Sequence, residues 1–352
     1  MKQMNRWGAA LLAGIILSAC AAVAPTDTGP DEERVVRLMS HDSFNMSEEA
    51  RTAFEEQYNA RLEFVPSGDA GAALNQAILS SENPLADAFF GVDNTFLSRA
   101  IEADIFVPIE PEGLSAVPAQ YQLDPESRLI PIDWGDVCLN YDIGWFGENG
   151  LAPPSSLDDL IDPAYSGLTV VQNPATSSPG LAFLMATIAT YGEGWQDYWA
   201  SLRENDVLVT EGWEDAYYGQ FTLPGGQRPI VVSYASSPPA ELIFAEEPLE
   251  EAPTASVTAD GSCFRQIEFA GVLRNADHPD LAQALIEFML SETFQEDMPL
   301  QMFVFPVLPD ANLPDAFVQY AQVPDNPATL PPDEIAANRD QWIEQWTEIV
   351  LR

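Results

Sequence analysis

Short apolar runs alternate with amphipathic stretches along the first third of the chain. The apolar runs have the length and composition of buried strands, and they cover residues 35–40, 62–66 and 86–92. The amphipathic stretches have the spacing of helices, and they cover residues 48–58, 72–80 and 95–103. This alternation predicts a largely parallel sheet with helices on both faces.

A second set of elements begins near residue 168. Its strands are predicted at residues 168–172, 207–210 and 230–234, and its helices at residues 180–191 and 195–204. Two long, mixed apolar runs flank this set, at residues 129–141 and 263–273. We interpret these runs as two strands that join two α/β lobes and act as a hinge.

The pattern therefore predicts an α/β fold with two lobes, each a mostly parallel sheet flanked by helices. We expect lobe 1 to comprise residues 35–134 and 270–352, and lobe 2 to comprise residues 135–269. A helix predicted at residues 281–290 and an amphipathic segment at residues 332–351 belong to lobe 1. A hydrophobic content of 46% is enough for sizeable cores.

The N-terminus has the layout of a secretory signal. Lys2 and Arg6 precede an apolar run that is shorter than the roughly 20 residues a membrane-spanning helix needs. The run ends in Leu-Ser-Ala-Cys at Cys20, which resembles the lipobox of bacterial lipoproteins, where the cysteine carries the lipid. We expect a signal peptide at residues 1–19, then a lipidated Cys20 and a flexible tether at residues 20–34. An ordinary signal peptide that happens to hold a cysteine is the alternative.

The formal net charge of −41 is extreme for a chain of 352 residues. It argues against binding to nucleic acid, because the phosphate backbone would be repelled. It is compatible with attraction of a cationic ligand, although an acidic surface that keeps the protein soluble is the simpler interpretation. The sequence has no HExxH, CxxC or glycine-rich phosphate loop, so we expect neither a metal site nor a nucleotide cofactor.

With Cys20 assigned to a lipid anchor, Cys138 and Cys263 remain. An even pair of cysteines outside the cytosol indicates a disulfide. The two residues lie on the runs that we interpret as hinge strands, which should run side by side. Neighbouring strands are about 4.8 Å apart, a spacing that suits a disulfide.

Polar residues follow two of the predicted strands in the first set. His41 and Asp42 follow the first strand, and Asp93 follows the third. In open α/β sheets, ligands bind beyond the carboxyl ends of the strands, and carboxylates at that place suit a cationic ligand. Asp93 could equally cap the next helix, so both roles stay open for it.

In the second set, Ser177 and Ser178 precede Pro179 and an apolar helix. Proline in the first turn with serine before it is a typical helix start, and the free N–H and hydroxyl groups could hold a phosphate or carboxylate. A purely capping role is the alternative for these serines.

Aromatic residues follow the other strands of the second set. Trp213 lies beside carboxylates, where it could either stack on a flat cation or pack in the core. Tyr217, with the adjacent Tyr218, resembles the tyrosine pair of ferric-ion-binding proteins, although such pairs are also common in helices. Tyr234 ends another predicted strand and could face the cleft.

Taken together, these motifs resemble the thiamine-binding subunits of bacterial ABC importers, within the ferric and thiamine branch of solute-binding proteins. The matching segments are DSF at 42–44, GVDN at 91–94, TSSPGL at 176–181, VTEGW at 209–213, SYASSP at 233–238 and QWIEQW at 341–346. The resemblance covers about residues 35–350. It implies the two-lobed fold of type II periplasmic binding proteins, thiamine or its phosphates as ligand, and the permease subunits of an ABC importer as partners. It also implies a monomer without a cofactor that contacts the membrane only through its lipid anchor.

By position, the resemblance assigns roles to four residues. Asp69 would meet the amino or charged part of the ligand, and Ser177 would lie at its phosphate or hydroxyethyl end. Trp213 and Tyr234 would line the pocket. The full set of candidate ligand residues is His41, Asp42, Asp69, Asp93, Ser177, Ser178, Trp213, Tyr217, Tyr234 and Phe303.

Three positions depart from the family pattern. His41 and Ala240 stand where the family has tyrosine, and Phe303 stands where it has tryptophan. The cleft therefore has fewer aromatic faces, and the preference among thiamine and its phosphates stays open.

A competing interpretation is an enzyme, because thiaminase I is similar to these binding proteins in fold. It uses a cleft cysteine with a glutamate base, and Cys138 and Glu268 lie on the two hinge runs. A catalytic cysteine needs a free thiol, which a disulfide with Cys263 would remove. A binding protein for ferric iron, a polyamine or a sugar phosphate is a further alternative. We predict a binding protein rather than an enzyme.

Overall fold

Eleven strands join into one mixed sheet in the computed structural model, which describes residues 34–245 and 247–352. The strands are β1 Arg34–Ser40, β2 Ala60–Pro66, β3 Ala88–Asp93, β4 Phe106–Val107, β5 Ile130–Asp142, β6 Thr169–Gln172, β7 Leu208–Thr210, β8 Ile230–Tyr234, β9 Thr254–Val257, β10 Phe264–Leu273 and β11 Phe305–Pro306. The α-helices are α1 Glu48–Tyr58, α2 Ala70–Leu79, α3 Leu97–Glu102, α4 Ile143–Asn149, α5 Ser178–Tyr191, α6 Trp195–Glu204, α7 Pro238–Ile243, α8 Pro279–Met289, α9 Glu292–Gln301, α10 Asp315–Tyr320 and α11 Pro332–Val350. The predicted signal peptide, Cys20 and nearly all of the predicted tether lie outside the described residues.

The strand order across the sheet is β2-β1-β3-β10-β5-β8-β6-β7, so the sheet contains two sets of parallel strands. In the first set, β1 runs parallel to β2 and β3, and in the second set β6 runs parallel to β7 and β8. The strands β10 and β5 lie between the sets and are antiparallel to each other. These pairings confirm the α/β order that the alternating pattern predicts.

The two central strands link the sets, since β5 borders the second set, β10 borders the first, and the two strands pair with each other. β5 pairs with β10 through residues 130–137, and with β8 and β9 through residues 137–142. β10 pairs with β5 through residues 264–270 and with β3 through residues 268–272. The two long apolar runs of the sequence are therefore the strands that connect the sets.

Cys138 and Cys263 lie where β5 changes its partner. Val137 pairs with Phe264, so the next position along the ladder brings the two cysteines face to face. Their Cα atoms are 4.4 Å apart, which is the spacing of a close antiparallel pair, and their sulfur atoms are at bonding distance.

The helix α5 forms the centre of the second set. Nearly all of its residues are buried, because it packs against β10 on one side and α6 on another. Trp199 of α6 packs edge-on against Phe183 of α5 and Trp346 of α11, with ring centroids 5.6 and 5.5 Å apart. The indole N–H of Trp199 donates to Thr187 Oγ1 at 2.9 Å. The amphipathic C-terminal segment is thus a helix packed on the core, as its pattern predicts.

Several shorter elements are not visible in the periodicity of the sequence. They include β9, α4, α7 and a π-helix at Asp215–Gln220, which follows Trp213. Of the helices in residues 34–245 and 247–352, none combines the length and the apolar character that a membrane span requires.

Candidate functional site

A cavity of about 430 Å³ opens where several strands end, and its size is within the range of small-molecule sites. His41 and Asp42 follow β1, Trp213 follows β7, and Tyr234 ends β8. The starts of α2 and α5 and the segment after α9 complete the wall. Ligands of open α/β sheets bind at this end of the strands.

Most of the predicted ligand residues lie on the cavity wall. Those on the wall are His41, Asp42, Asp69, Ser178, Trp213, Tyr234 and Phe303. The remaining three are buried away from it, and they are Asp93, Ser177 and Tyr217. Ser177 caps α5, since its hydroxyl accepts the N–H of Gly180 at 3.4 Å. This is the capping role that the sequence left open.

Asp69 joins two parts of the fold at the edge of the cavity. Its Oδ1 accepts the N–H of Ala70 at 2.6 Å and so caps α2, and its Oδ2 accepts the N–H of Trp213 at 2.8 Å. A Cβ at Gly212 would lie 3.3 Å from Oδ2, so glycine permits this close approach. Burial raises the pKa of Asp69, and the hydrogen bond from the Trp213 N–H opposes that rise.

A second contact of the same kind fixes the start of α2. The N–H groups of Gly71 and Ala72 donate to the carbonyl of Thr176, at 2.9 and 3.2 Å. A Cβ at Gly71 would lie 2.9 Å from that carbonyl oxygen. The start of α2, which follows a strand of the first set, is thus bonded to loops of the second set.

Trp213 belongs both to the wall and to a small buried cluster. Its ring stacks on Tyr217 with centroids 4.8 Å apart and planes at 17°, and Tyr218 packs edge-on against it at 5.4 Å. Its indole N–H donates to Ser233 Oγ at 3.0 Å. Only 8% of Trp213 is exposed, so most of its ring packs in the core. The exposed part lines the cavity and could contact a ligand.

The adjacent tyrosines Tyr217 and Tyr218 have different surroundings. Tyr217 is buried and its hydroxyl donates to Glu241 Oε1 at 2.6 Å, whereas Tyr218 is 52% exposed and lines the cavity. Burial raises the pKa of both hydroxyls, that of Tyr218 to about 12. A ferric site of the tyrosine type needs two phenolate oxygens that are free to bind one metal ion, whereas the Tyr217 hydroxyl is bonded to Glu241.

A row of buried carboxyl groups crosses the sheet beside the cavity. Glu268 of β10 lies opposite Asp93 of β3 on one side and opposite Asp133 of β5 on the other. Burial, and then the charge of Glu268, raise the pKa of Asp133 well above its ordinary value. Burial, reinforced by the charge of Glu268, raises the pKa of Asp93 to about 7. Both shifts favour the protonated forms of Asp93 and Asp133.

His41 faces this row from the end of β1. Its Nε2 lies 3.3 Å from Glu268 Oε1, and its Nδ1 lies 2.9 Å from Ser43 Oγ. Burial lowers the pKa of His41, but the hydrogen bond and the charge of Glu268 outweigh that effect, so the net shift is upward. A protonated His41 can therefore neutralise Glu268 on the cavity wall.

Replacing Asp93 with asparagine should remove a pH dependence of stability. The pKa of Asp93 is about 7 in the folded protein against an ordinary value of 3.8. The folded state thus binds more protons than the unfolded state between those values, and stability falls as the pH rises through them. Asparagine cannot lose a proton, and its amide oxygen can keep the bonds from Thr95 and Phe96. Urea unfolding should show Asp93→Asn more stable than wild type at about pH 8 but not at about pH 4.

The matched control for this prediction is Asp325→Asn, which alters an exposed acid. It should leave the difference between the two pH values unchanged. An Asp93→Asn variant with the pH profile of the wild type would show that Asp93 is already ionised in the folded protein.

The wall also contains residues that the sequence did not single out as ligand contacts. They include Glu214, Phe244, Glu268 and Met302, whereas Tyr218 was considered only as the partner of Tyr217 in a ferric pair. Glu214 immediately precedes the π-helix and Tyr218 lies within it, so their proximity to Trp213 in the sequence was the available signal. Glu268 was considered only as a catalytic base. Met302 follows α9, where no local pattern marks a ligand contact.

The family model for bacterial extracellular solute-binding proteins matches residues 83–327, more than half of the chain. The chain belongs to this family. The thiamine-binding periplasmic protein of Escherichia coli (strain K12) is 30% identical over 327 residues, which cover 90% of this chain and 94% of that protein. The thiamine-binding periplasmic protein of Salmonella typhimurium (strain LT2) is 30% identical over 343 residues, which cover 96% of this chain and 98% of that protein.

A solved structure described as a periplasmic thiamin binding protein has the same architecture as this solute-binding protein. The TM-score is 0.81 at 28% sequence identity, with 92% of this chain and 98% of that chain covered. The overlap confirms the predicted two-lobed α/β fold of type II periplasmic binding proteins. Membership of the solute-binding family also confirms the prediction of a binding protein that acts outside the cytoplasm and is not an enzyme.

Proposed function

We propose that this protein captures thiamine in the cavity and delivers it to the permease subunits of an ABC importer. The chemistry of the wall carries the proposal, because the rings of Trp213, Tyr218 and Tyr234 lie with the carboxylates of Asp69 and Glu268 around one cavity. Aromatic faces and carboxylates together suit a flat organic cation, and thiamine combines an aminopyrimidine with a positively charged thiazolium ring. The thiamine-binding relatives in two organisms support the same ligand.

We further propose that the ligand is held by closure of two lobes, with residues 35–134 and 270–352 in lobe 1 and residues 135–269 in lobe 2. The position of β5 and β10 between the two strand sets, with β10 paired to β3 and β5 paired to β8, supports a hinge at these strands. The bond from the Trp213 N–H to Asp69 would then join the two lobes, as a closed conformation requires. Ligand contacts from both lobes favour the closed state.

Calorimetric titration with thiamine tests the ligand, and small-angle scattering of the same samples tests the closure. We expect saturable binding at one site per monomer and a smaller radius of gyration at saturation. Ferric iron and spermidine, titrated in parallel, represent the alternative ligands and should bind more weakly. Tight binding of iron or spermidine without binding of thiamine would reject the proposed ligand.

Lipid anchoring at Cys20 is part of the proposal. The basic start, the short apolar run and the Leu-Ser-Ala-Cys sequence support cleavage after residue 19, with residues 20–34 as the tether. The protein expressed with its own signal in a bacterium should fractionate with membranes, and Cys20→Ala should release it. A Cys20→Ala variant that stays with the membrane would contradict the anchor.

We also propose a disulfide between Cys138 and Cys263. The opposed positions of Cys138 on β5 and Cys263 immediately before β10 support it, as does the oxidising compartment. The bond would close a loop of 125 residues, which the chain-entropy model values at about 4–5 kcal/mol of stability. Peptide mass mapping of the non-reduced protein should find the two residues joined, and two free thiols would contradict the proposal.

A further inference from the structure

Glu268 connects the cavity with two acids that lie behind its wall. Glu268 itself lines the cavity, whereas Asp93 and Asp133 are fully buried and are not part of the wall. Glu268 lies opposite Asp133 in the ladder of β5 and β10, and opposite Asp93 in the ladder of β3 and β10. Directly opposed residues of antiparallel strands point to the same face, with Cβ atoms about 4.5–5.5 Å apart. A cation that binds to Glu268 therefore acts on both buried acids.

Asp133 lacks the hydrogen-bond donors that a buried carboxylate needs. Both of its oxygen atoms are buried, and no N–H or O–H group in residues 34–245 and 247–352 donates to either of them. Oδ2 of Asp93 is in the same position, although its Oδ1 accepts from Thr95 and Phe96. A buried carboxylate without donors is costly, whereas a protonated carboxyl group is neutral and can itself donate. The geometry of the row therefore favours a proton on it.

Titratable groups from several elements surround Glu268. They are His41 after β1, Asp69 at the start of α2, Asp93 of β3, Asp133 of β5 and Tyr234 of β8, with Asp42 and Glu214 on the same wall. Among these, His41 can become positive, and its Nε2 lies 3.3 Å from Glu268 Oε1. Burial raises the pKa of Tyr234, so its hydroxyl stays neutral.

The remaining elements around the row add little charge to it. Arg265 of β10 is bonded to Asp136 of β5, at 2.8 and 3.0 Å. In the described part of the chain, the buried faces of α2, α3, α5, α8 and α9 contribute no ionisable side chain, and neither does β11. The charge balance of the row is therefore set by its own three acids, by His41 and by whatever occupies the cavity.

The charge of Glu268 helps to keep the two buried acids protonated. Burial is the largest cause of the raised pKa of Asp93 and of Asp133, and the charge of Glu268 adds to it. A cation in the cavity offsets that charge, so the pKa of both acids falls when it binds. The same cation competes with His41 for Glu268, so the pKa of His41 falls as well. All three groups therefore lose protons in response to a bound cation.

We propose that capture of a cationic ligand at Glu268 is coupled to release of a proton from the row of Asp93, Asp133 and Glu268, so that the affinity rises with pH. The inference rests on the proposed function, in which thiamine supplies the cation. The O–H bond of a carboxyl group breaks, its electron pair stays on the oxygen, and the proton passes to water or buffer. Because the three acids interact, the proton belongs to the row as a whole. Linkage is reciprocal, so protonation of the row at low pH favours release of the ligand.

Calorimetric titration of the full-length protein with thiamine, in phosphate and in Tris buffer, counts the released protons. The two buffers differ in ionisation enthalpy, so the observed binding enthalpy differs between them in proportion to the protons they accept. We expect about 0.5–1 proton released per thiamine at about pH 7, and a dissociation constant that falls about three- to tenfold from about pH 6.5 to about pH 7.5. Binding that depends neither on the buffer nor on pH would overturn the coupling and leave the proposed function intact. Absence of binding at every pH would reject both.

Two variants test whether the proton comes from the row. Asp93→Asn and Asp133→Asn each replace a buried acid by a group of similar shape that cannot ionise, and each should lower the number of released protons by roughly a third to a half. Asp325→Asn, which alters an exposed acid, is the control and should leave that number unchanged. Thermal unfolding at the titration pH confirms that each variant is folded. A proton release equal to the wild type in both Asp93→Asn and Asp133→Asn would assign the proton to His41 or to the ligand and overturn the proposal.

Discussion

Replacing Trp213 with alanine should weaken thiamine binding by at least about tenfold and lower the free energy of unfolding by about 3–5 kcal/mol. The binding loss follows from removal of the aromatic group, whose contact with a desolvated cation is worth about 2 kcal/mol or more. The stability loss follows from the stack on Tyr217 and the cluster with Val170 and Phe221, which would be left with a cavity. Calorimetric titration measures the first effect and urea unfolding the second.

Trp213→Phe separates the two effects. Phenylalanine keeps a flat ring against Tyr217 but cannot donate to Ser233 Oγ. This variant should therefore retain most of the stability that Trp213→Ala loses, and part of the affinity. A Trp213→Ala protein that is less stable yet binds thiamine as tightly as the wild type would assign Trp213 to the core alone.

Replacing Asp69 with asparagine should weaken thiamine binding by about tenfold to a hundredfold, because hydrogen bonds to charged groups contribute about 1.5–3 kcal/mol. The variant loses the negative charge that we expect to face the ligand cation. Its amide can supply one acceptor, so either the cap of α2 or the bond from the Trp213 N–H is lost. Titration with thiamine measures the combined effect.

A neutral thiamine analogue, with an uncharged ring in place of the thiazolium, distinguishes charge from shape in this prediction. Asp69→Asn should weaken thiamine more than it weakens the analogue. A second variant, Asp69→Ser, keeps a good helix cap but is too short to reach the Trp213 N–H. Equal losses of affinity for both ligands would show that Asp69 maintains the contact between α2 and Trp213 and does not interact with the ligand charge.

The local elements were the part of the fold that could be predicted from the sequence. The helices α1 and α6 have the predicted limits, and β8 does as well. The reason is that their determinants lie within a few residues, such as Ser47, whose side chain accepts the N–H of Ala50 at the start of α1. The alternation of these elements was then enough to predict parallel strands and two connecting strands.

The cavity was predictable in outline only. His41 and Asp42 follow β1 and Tyr234 ends β8, so the general rule for α/β sheets predicts that they lie on the wall. The contrast between Tyr217 and Tyr218 was not predictable, because it depends on a π-helix at Asp215–Gln220 that no periodicity reveals.

The row of buried carboxyl groups could not be predicted from the sequence either, but for a different reason. Asp93, Asp133 and Glu268 become neighbours only through the register of β3, β10 and β5. No local pattern specifies that register, since the three strands are far apart in the chain. Buried like charges are also unfavourable, so each of these acids taken alone would be expected to lie apart from the others.

The position of β10 in the sheet determines the order in which the chain can fold. β10 is the neighbour of β3, yet it comprises residues 264–273 and β3 comprises residues 88–93. Contacts between such distant positions form late, because a long loop must close before they are made. The first strand set therefore has an open edge until residue 273 has been synthesised. We therefore expect the leading segment to lack a complete core while the chain is being synthesised, and a chain in that state can still be threaded through a membrane channel.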